Sequence, residues 1–399
     1  MTVIAVFEHD KLALSAAQAR RLDECHHLLP NGAVTWEGPH TVRFSQFCGL
    51  LPLGEDILEI LPKIDRSSSA AQGRTALLNM LAETEQIDAD SCGDAAAHTQ
   101  QNLLDLFIGL FAREALGLAR QGLFRQYQTI DDDLPLVRGR LHTARMAAQG
   151  PARMHISPCQ FDELTVDNQV NRIIKAAALC AWPVAKSGEA RRKVREVLFL
   201  LDEVQCLPGI RAADIGKLTQ TRQSKRYRKI LAHCRWLLDC MAPDLRAGDA
   251  SGWGLLFDMN KLFQNYVFAR VRRQLASTDF SVRAEEPRKW LFDQPKKYQL
   301  RPDIVVQQGT ETLAILDAKW KCLGAEDPAQ GDVYQMVTYW QRYQPKRLVL
   351  VYPQSTSTAE CRKFVCQNGP QLEVCFMQLP GFETVTACPP WVNELTQNL

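Results

Sequence analysis

Asp303, Asp317 and Lys319 are the residues of this chain whose types and spacing best suit chemistry. They fall in two apolar segments, LRPDIVV (300–306) and LAILDAKWK (313–321). Asp317 and Lys319 are two positions apart, so on a strand they project from one face. The short link Gln307 to Glu311 contains Gly309 and suits a hairpin turn. A turn centred on Thr310 sets Asp303 directly opposite Asp317; one centred on Gly309 makes them diagonal neighbours on that face. A slip of one residue would send Asp303 to the other face. Two carboxylates and an ammonium among Ile304, Val305, Ile315 and Leu316 are costly to bury without a purpose. A divalent cation relieves the carboxylate repulsion, and Mg2+ suits the task because it takes oxygen ligands and keeps several waters. The expected metal ligands are Asp303, Asp317 and the backbone carbonyl of Ala318. Lys319 is left to orient a water and offset charge on a phosphate under attack. A surface hairpin with an ordinary Asp–Lys pair would not need these apolar flanks.

A helix is expected after Pro328, running to Tyr343. Gln335 and Tyr339 are four apart on it and share a face, with Asp332 one turn earlier. The PD, the D-x-K and this helix together resemble the PD-(D/E)xK nuclease superfamily. The Gln335–Tyr339 spacing resembles the Q-xxx-Y element of its RecB-like branch, which implies a supporting role for both residues. Many members of that superfamily carry a metal-binding glutamate on the first helix. The matching stretch here is LFQNYV (262–267), with Gln264 at that position. An amide brings no charge. Either Gln264 orients a metal-bound water, or Glu285 or Glu286 substitutes, or the site is weakened.

The elements that must position these residues occupy a chain of 399 residues, 46% hydrophobic and 23% charged, which is an ordinary globular composition with room for two or three domains. No apolar run approaches the length of a membrane span. Met1 to Asp10 lacks a basic-then-apolar signal pattern, and a cytoplasmic location is expected. The net charge of +2 gives no global basic excess, so DNA contacts must come from local patches. The run Arg222, Lys225, Arg226, Arg228 and Lys229 is the candidate; a solvated helix face or an acidic partner explains it equally. The 13 cysteines include no CxxC pair, and Cys322, Cys361, Cys366 and Cys375 match no iron–sulfur spacing. No GxxxxGK[ST] phosphate loop is present.

Texture predicts an α+β multidomain chain. Residues 1–70 read as a β-rich N-terminal domain, with ILEILPKI (57–64) as a strand that Pro62 ends or sets at an edge. Residues 71–248 read as a mainly helical middle domain. Its helices are predicted over 76–82, 102–121, 165–179, 189–201 and 223–241. Residues 249–399 read as an α/β domain with a mixed central sheet flanked by helices. It is predicted to hold a helix over 255–275 and strands over 280–284, 298–306, 312–319, 347–352 and 371–379.

Motifs outside the hairpin carry a second resemblance. LEILPKI (58–64), RQGLFRQY (120–127), VRGRL (137–141), FDELTVDNQVNRIIK (161–175) and SKRYRKIL (224–231) occur in the order of the McrC family. That resemblance covers almost the whole chain. It implies the PD-(D/E)xK endonuclease fold over 249–399 and Mg2+-dependent DNA cleavage in a modification-dependent, antiviral restriction system. It also implies a separate AAA+ motor, McrB, that hydrolyses GTP or ATP, with residues 1–70 as the finger that stimulates it. Two other functions stand beside this one: a weakly catalytic adaptor that mainly activates the motor, motivated by Gln264, and a stand-alone RecB-like repair nuclease. Arg138, Gly139, Arg140, Asp167, Asn168, Asn171 and Arg172 are expected to hold the middle of the chain together.

Overall fold

The computed structural model describes residues 2–53, 56–64, 69–84, 102–206, 209–211, 213–216, 224–241, 255–285, 288–324, 326–354, 361–367, 369–379 and 389–394. By contact the chain forms two compact units. One joins residues 1–106 to 252–399; the other is 107–251. The cuts expected at 70 and 249 are therefore regrouped, because the N-terminal strands fold with the C-terminal part.

The first unit opens with β1 (Val3–Phe7), β2 (Lys11–Ala13), α1 (Ala16–Cys25), β3 (Val34–Gly38), β4 (Thr41–Phe44), β5 (Phe47–Leu53), β6 (Asp56–Leu61) and α2 (Ala70–Glu83). Helix α1 was not expected in this strand-rich stretch. Its Ser15 side chain accepts from the Gln18 N–H, while Gln18 returns a bond to the Ser15 N–H, a complete capping box. Strand β6 ends before Pro62, as expected. It lies inside its sheet, parallel to β1 and antiparallel to β5. Both its edges are therefore paired, and Ile57, Leu58, Glu59, Ile60 and Leu61, which alternate between its faces, are all buried. The buried Glu59 carboxylate accepts from Arg74 at 2.8 and 2.7 Å and from the Leu103 N–H at 2.7 Å, so its charge is fully answered.

The second unit holds most of α3 (Leu103–Arg120), then β7 (Gln126–Leu134), β8 (Arg140–Leu141), β9 (Ser157–Thr165), α4 (Gln169–Ala181), α5 (Gly188–Leu200) and α6 (Arg228–Met241). It is less helical than predicted: β7, β9 and β8 form a three-stranded sheet. Helix α4 starts at Gln169 rather than Thr165, because Asn168 is its cap and accepts from the Asn171 N–H. The Asn168 and Asn171 amides also hold the Phe124 and Val166 carbonyls, and Asp167 grips Arg172 through two 2.7 Å bonds. At Gly139, φ is +70°, and a Cβ would lie 2.4 Å from the Gln160 carbonyl oxygen. The neighbouring Arg138 guanidinium stacks 4.1 Å above the Phe161 ring. These motifs are structural, as expected.

The chain then returns to the first unit. Residues 255–258, predicted as helix, are strand β10 (Leu255–Asp258), which pairs antiparallel with β5. Asp258 then caps α7 (Met259–Gln274). Next come β11 (Ser281–Ala284), β12 (Lys289–Asp293), β13 (Lys296–Leu300), β14 (Ile304–Gln308), β15 (Glu311–Ala318), α8 (Gln330–Tyr343), β16 (Arg347–Gln354), β17 (Arg362–Val365) and β18 (Gln371–Gln378). The single strand predicted over 298–306 is two strands of different sheets. It breaks at Pro302, which has no N–H to give a ladder. Strands β11-β14-β15-β16-β18-β17 form one mixed six-stranded sheet, and β12–β13 a separate hairpin. Helix α8 crosses over between the parallel strands β15 and β16. Its Met336, Tyr339 and Tyr343 pack with Val305, Ile315, Leu350 and Val374 in the core of that face.

A second buried acid ties the N-terminal strands of this unit to the segment after β15. Glu8 is 1% exposed. It accepts the Lys63 N–H at 2.9 Å and the Trp320 indole N–H at 2.9 Å. Burial raises its pKa from 4.5 to about 7. An acid whose pKa rises on folding takes up a proton on folding, so its contribution to stability falls as pH climbs from the unfolded value through the folded one. At about 1.4 kcal/mol per unit, the loss between pH 4.5 and 7 is on the order of 3 kcal/mol. Glu8→Gln removes that slope. Melting temperatures of parent and variant should match near pH 5, and the variant should melt higher near pH 8.

Candidate functional site

The β14–β15 hairpin sets the site. Its two-residue turn holds Gly309 at φ +58°. Next to the turn Gln307 faces Thr312. A bulge between Val306 and Gln307 then shifts the register, and Val306 faces Ala314, Val305 Ile315 and Ile304 Leu316. Extended one step, this register sets Asp303 opposite Asp317, the outcome expected for a turn centred on Thr310. Neither a Thr310 nor a Gly309 centre describes the turn itself; the bulge supplies the missing half step. Asp303 lies just before β14. Asp317 is within β15, Ala318 ends it, and Lys319 follows, its N–H held by the Val351 carbonyl at 2.9 Å. All three side chains belong to the face covered by α8.

Contacts bring them together. An Asp303 carboxylate oxygen accepts the Ala318 N–H at 2.8 Å. Lys319 Nζ lies 2.5 Å from Asp317 Oδ2 and 3.8 Å from Asp332 Oδ1, and it donates to Gln335 Oε1 at 2.9 Å. Gln335 Nε2 donates to the Tyr339 hydroxyl at 2.8 Å, which donates to the Arg301 carbonyl at 3.0 Å. The expected supporting pair thus fixes the lysine head from above and the chain entering Asp303 from behind. Lys321 and Tyr352 were not singled out. Both hold Asp332, at 2.6 and 3.3 Å. The signal for Lys321 was available, since it continues the alternation of Asp317 and Lys319.

Asp317 is 1% exposed. Burial and the charge of Asp317 raise the Asp303 pKa, and burial raises that of Asp317. Burial opposes the Lys319 charge, but Asp317, Asp332 and Asp303 outweigh it and hold that pKa above its ordinary value. Asp317 Oδ2 is sealed from solvent and has no hydrogen-bond donor beyond the Lys319 ion pair. Such an oxygen has lone pairs to offer a cation. Among the described residues no group of three His, Cys, Asp or Glu side chains is arranged to hold a metal. The two carboxylates, Asp303 also accepting the Ala318 N–H, form a smaller donor set. It fits Mg2+, which keeps several waters and binds through one or two carboxylates.

Other expected residues fare differently. Gln264 is half-buried on α7 and has no hydrogen-bond partner among the described residues. Its neighbour Phe263 packs on the Trp320 ring, with centroids 5.5 Å apart. Glu285 donates its N–H to the Asp303 carbonyl at 3.1 Å and adds to the charge that raises the Asp303 pKa; Glu286 lies outside the described residues. The basic run is described only in part. Arg222 and the Lys225 side chain lie outside the described residues. Arg226 donates to the Leu118 and Gly122 carbonyls at 3.2 and 3.3 Å, closing the end of α3. Arg228 and Lys229 are exposed. Cys361 and Cys375 are joined, and Cys322 and Cys366 are exposed.

By its architecture this is an α+β protein of several sheets, and no helix among its described residues is long and apolar enough to cross a membrane. The model of the McrBC 5-methylcytosine restriction system component family matches residues 42–353, and the chain belongs to that family. It is 22% identical over 307 residues to the type IV methyl-directed restriction enzyme EcoKMcrBC of Escherichia coli (strain K12), covering 70% of this chain and 84% of that protein. Two solved structures share its fold. One is the refined half-complex from the tetradecameric assembly of Thermococcus gammatolerans McrB AAA+ hexamers with bound McrC. There the TM-score is 0.78 at 18% identity over 99% of each chain. The other is the cryo-EM structure of the Thermococcus gammatolerans McrBC complex, with a TM-score of 0.56 at 20% identity over 69% of this chain and 89% of that one.

The ion pair can be tested apart from activity. Lys319→Ala leaves Asp317 buried without its cation, and breaking such a pair from one side costs about 3 kcal/mol. The melting temperature should fall, and Asp317→Asn added to Lys319→Ala should recover part of the loss. No change in the single variant would show that Asp317 does not depend on Lys319.

Proposed function

We propose that this chain is a Mg2+-dependent endodeoxyribonuclease subunit of a modification-dependent restriction system. The observation that carries the reading is the convergence of Asp303, Asp317, Lys319 and Gln335 at one end of the β14–β15 hairpin, in a member of the McrBC family. The mixed sheet with α7 and α8 supports a PD-(D/E)xK nuclease fold. When bound, Mg2+ would supply Lewis-acid polarisation of the phosphate and a water of lowered pKa. The Asp303 and Asp317 carboxylates and the Ala318 carbonyl would hold it. Lys319 would orient the attacking water and offset charge gathering on the phosphate oxygens. Gln335 keeps the lysine head in place, and Tyr339 fixes Gln335.

A separate AAA+ motor is the proposed partner, since a solved structure of like fold is named for McrB AAA+ hexamers with bound McrC. Stimulation of its GTP or ATP hydrolysis is assigned to the N-terminal region, and cleavage to the β14–β15 site. The missing carboxylate at Gln264 favours one alternative, an adaptor with weak cleavage whose main task is to activate the motor.

The test is cleavage of modified and unmodified DNA with Mg2+, with and without the motor. Asp317→Asn should abolish cleavage and leave stimulation of the motor's nucleotide hydrolysis near the parental level. Loss of both in a folded variant would show that the two tasks are not divided this way. No cleavage by the parent, with full stimulation of the motor, would favour the adaptor. Gln264→Glu should lower the Mg2+ concentration needed for half-maximal cleavage if that position serves the metal. An unchanged Mg2+ titration with a lower melting temperature would place Gln264 in the packing instead.

A further inference from the structure

The β12–β13 hairpin forms a two-stranded sheet of its own between Glu285 and Asp303. Residues 288–301 contain five lysines and arginines and one acid, in a chain of net charge +2. The acid is neutralised, because Asp293 pairs with Arg342 at 2.7 Å. Lys289 turns inward: its Nζ donates to the Arg342 carbonyl at 2.9 Å and lies 4.8 Å from the Tyr343 ring centre. Lys296 and Lys297 are exposed, and neither has a partner among the described residues. Arg288 enters at the far end of the hairpin from these lysines and pairs with Glu285 at 3.6 Å.

Two aromatic rings stand bare among these cations. Phe292 is 53% exposed and Tyr298 70%, with ring centroids 6.0 Å apart, edge to face. Tyr298 is held at φ +58°, a region that is strained for a bulky residue. The hairpin thus holds a ring out in water at a cost in backbone energy. Bare cations interleaved with bare rings match a nucleic acid strand, which offers phosphates and base faces together. An acidic protein surface would use the lysines and leave the rings unexplained.

The hairpin is also wired to the site. The Tyr343 hydroxyl accepts the Lys289 N–H at 3.0 Å and donates to the Leu300 carbonyl at 3.3 Å. One turn earlier on α8, Tyr339 holds the Arg301 carbonyl and Gln335, which holds Lys319. We propose that the β12–β13 hairpin is a DNA-contact element that holds the strand leading into the Asp303–Asp317–Lys319 site, with Lys296 and Lys297 on phosphates and Phe292 and Tyr298 against a base. This rests on the nuclease reading of that site.

The test uses the full chain with its motor partner, labelled single-stranded DNA, EDTA to prevent cleavage, and fluorescence anisotropy over a salt series. Replacing Lys296 and Lys297 by Ala should weaken binding about ten-fold or more at 0.1 M salt. It should also flatten the slope of log affinity against log salt by roughly 1.4, since each phosphate contact on a single strand is worth about 0.7. Tyr298→Gly removes the ring and relieves the backbone. It should raise the melting temperature yet weaken DNA binding roughly five-fold or more, with the salt slope unchanged. Unchanged affinity and slope in both variants would overturn the proposal. So would loss of motor stimulation with DNA binding intact, which would make the hairpin a protein-binding surface. A parallel cleavage assay in Mg2+ separates the two readings: no cleavage by the parent with hairpin-dependent binding intact counts against the nuclease reading alone, and cleavage with binding unchanged in both hairpin variants counts against the hairpin assignment alone.

Discussion

A carboxylate sealed inside a sheet must be met by a cation, a donor or a proton, and Asp317 is such a group. It lies on the β15 face that packs α8, and its covered position leaves Lys319 as the charge that answers it. The lysine is itself held, by Gln335 and at longer range by Asp332. Tyr339 then holds Gln335 and the carbonyl before Pro302, so the same chain of bonds limits where Asp303 sits. Asp303 closes the ring by accepting the Ala318 N–H. Each member is placed by the need to compensate one buried charge.

Other buried acids of the first unit show what is unusual about this one. Glu59 takes both donors of Arg74 and a backbone N–H. Glu373 takes two donors of Arg347 at 2.8 and 2.7 Å. A forked guanidinium saturates a carboxylate and leaves little for a ligand. Asp317 has a lysine instead, a point charge on a flexible stem, which reaches one sealed oxygen only. The first two acids close structure. The third leaves capacity for another cation, which is the physical basis of the metal assignment proposed for it. Glu8 is intermediate: it has donors but no close lysine or arginine, and its pKa stands near neutrality.

The candidate site was largely legible because strand alternation and helix spacing are local properties. Asp317 with Lys319, and Gln335 with Tyr339, are brought to common faces by backbone geometry alone. The apolar residues beside Asp317 announced that the charge would be buried. What stayed open was register, since one bulge at Val306/Gln307 decides whether Asp303 faces Asp317 or lies beside it. The cap of α1 was present in Ser15 and Gln18, yet the surrounding strands concealed it. In the basic run at 222–229, composition alone does not show the contact a hundred residues away by which Arg226 holds the end of α3.

By itself, then, the sequence determined the elements around the hairpin, the face shared by the acid–lysine pair, the polar clamps of the middle segment and, through the order of its motifs, the family. Tertiary structure decided what depends on partners distant in the chain. It joined residues 1–106 with 252–399 through pairing of β5 with β10. It split the stretch 298–306 at Pro302 into strands of two sheets, and so created the exposed β12–β13 hairpin. It set Trp320, next to Lys319, against Glu8 from the first strand region. These outcomes rest on which surfaces find each other, and local spacing carries no record of a partner hundreds of residues away.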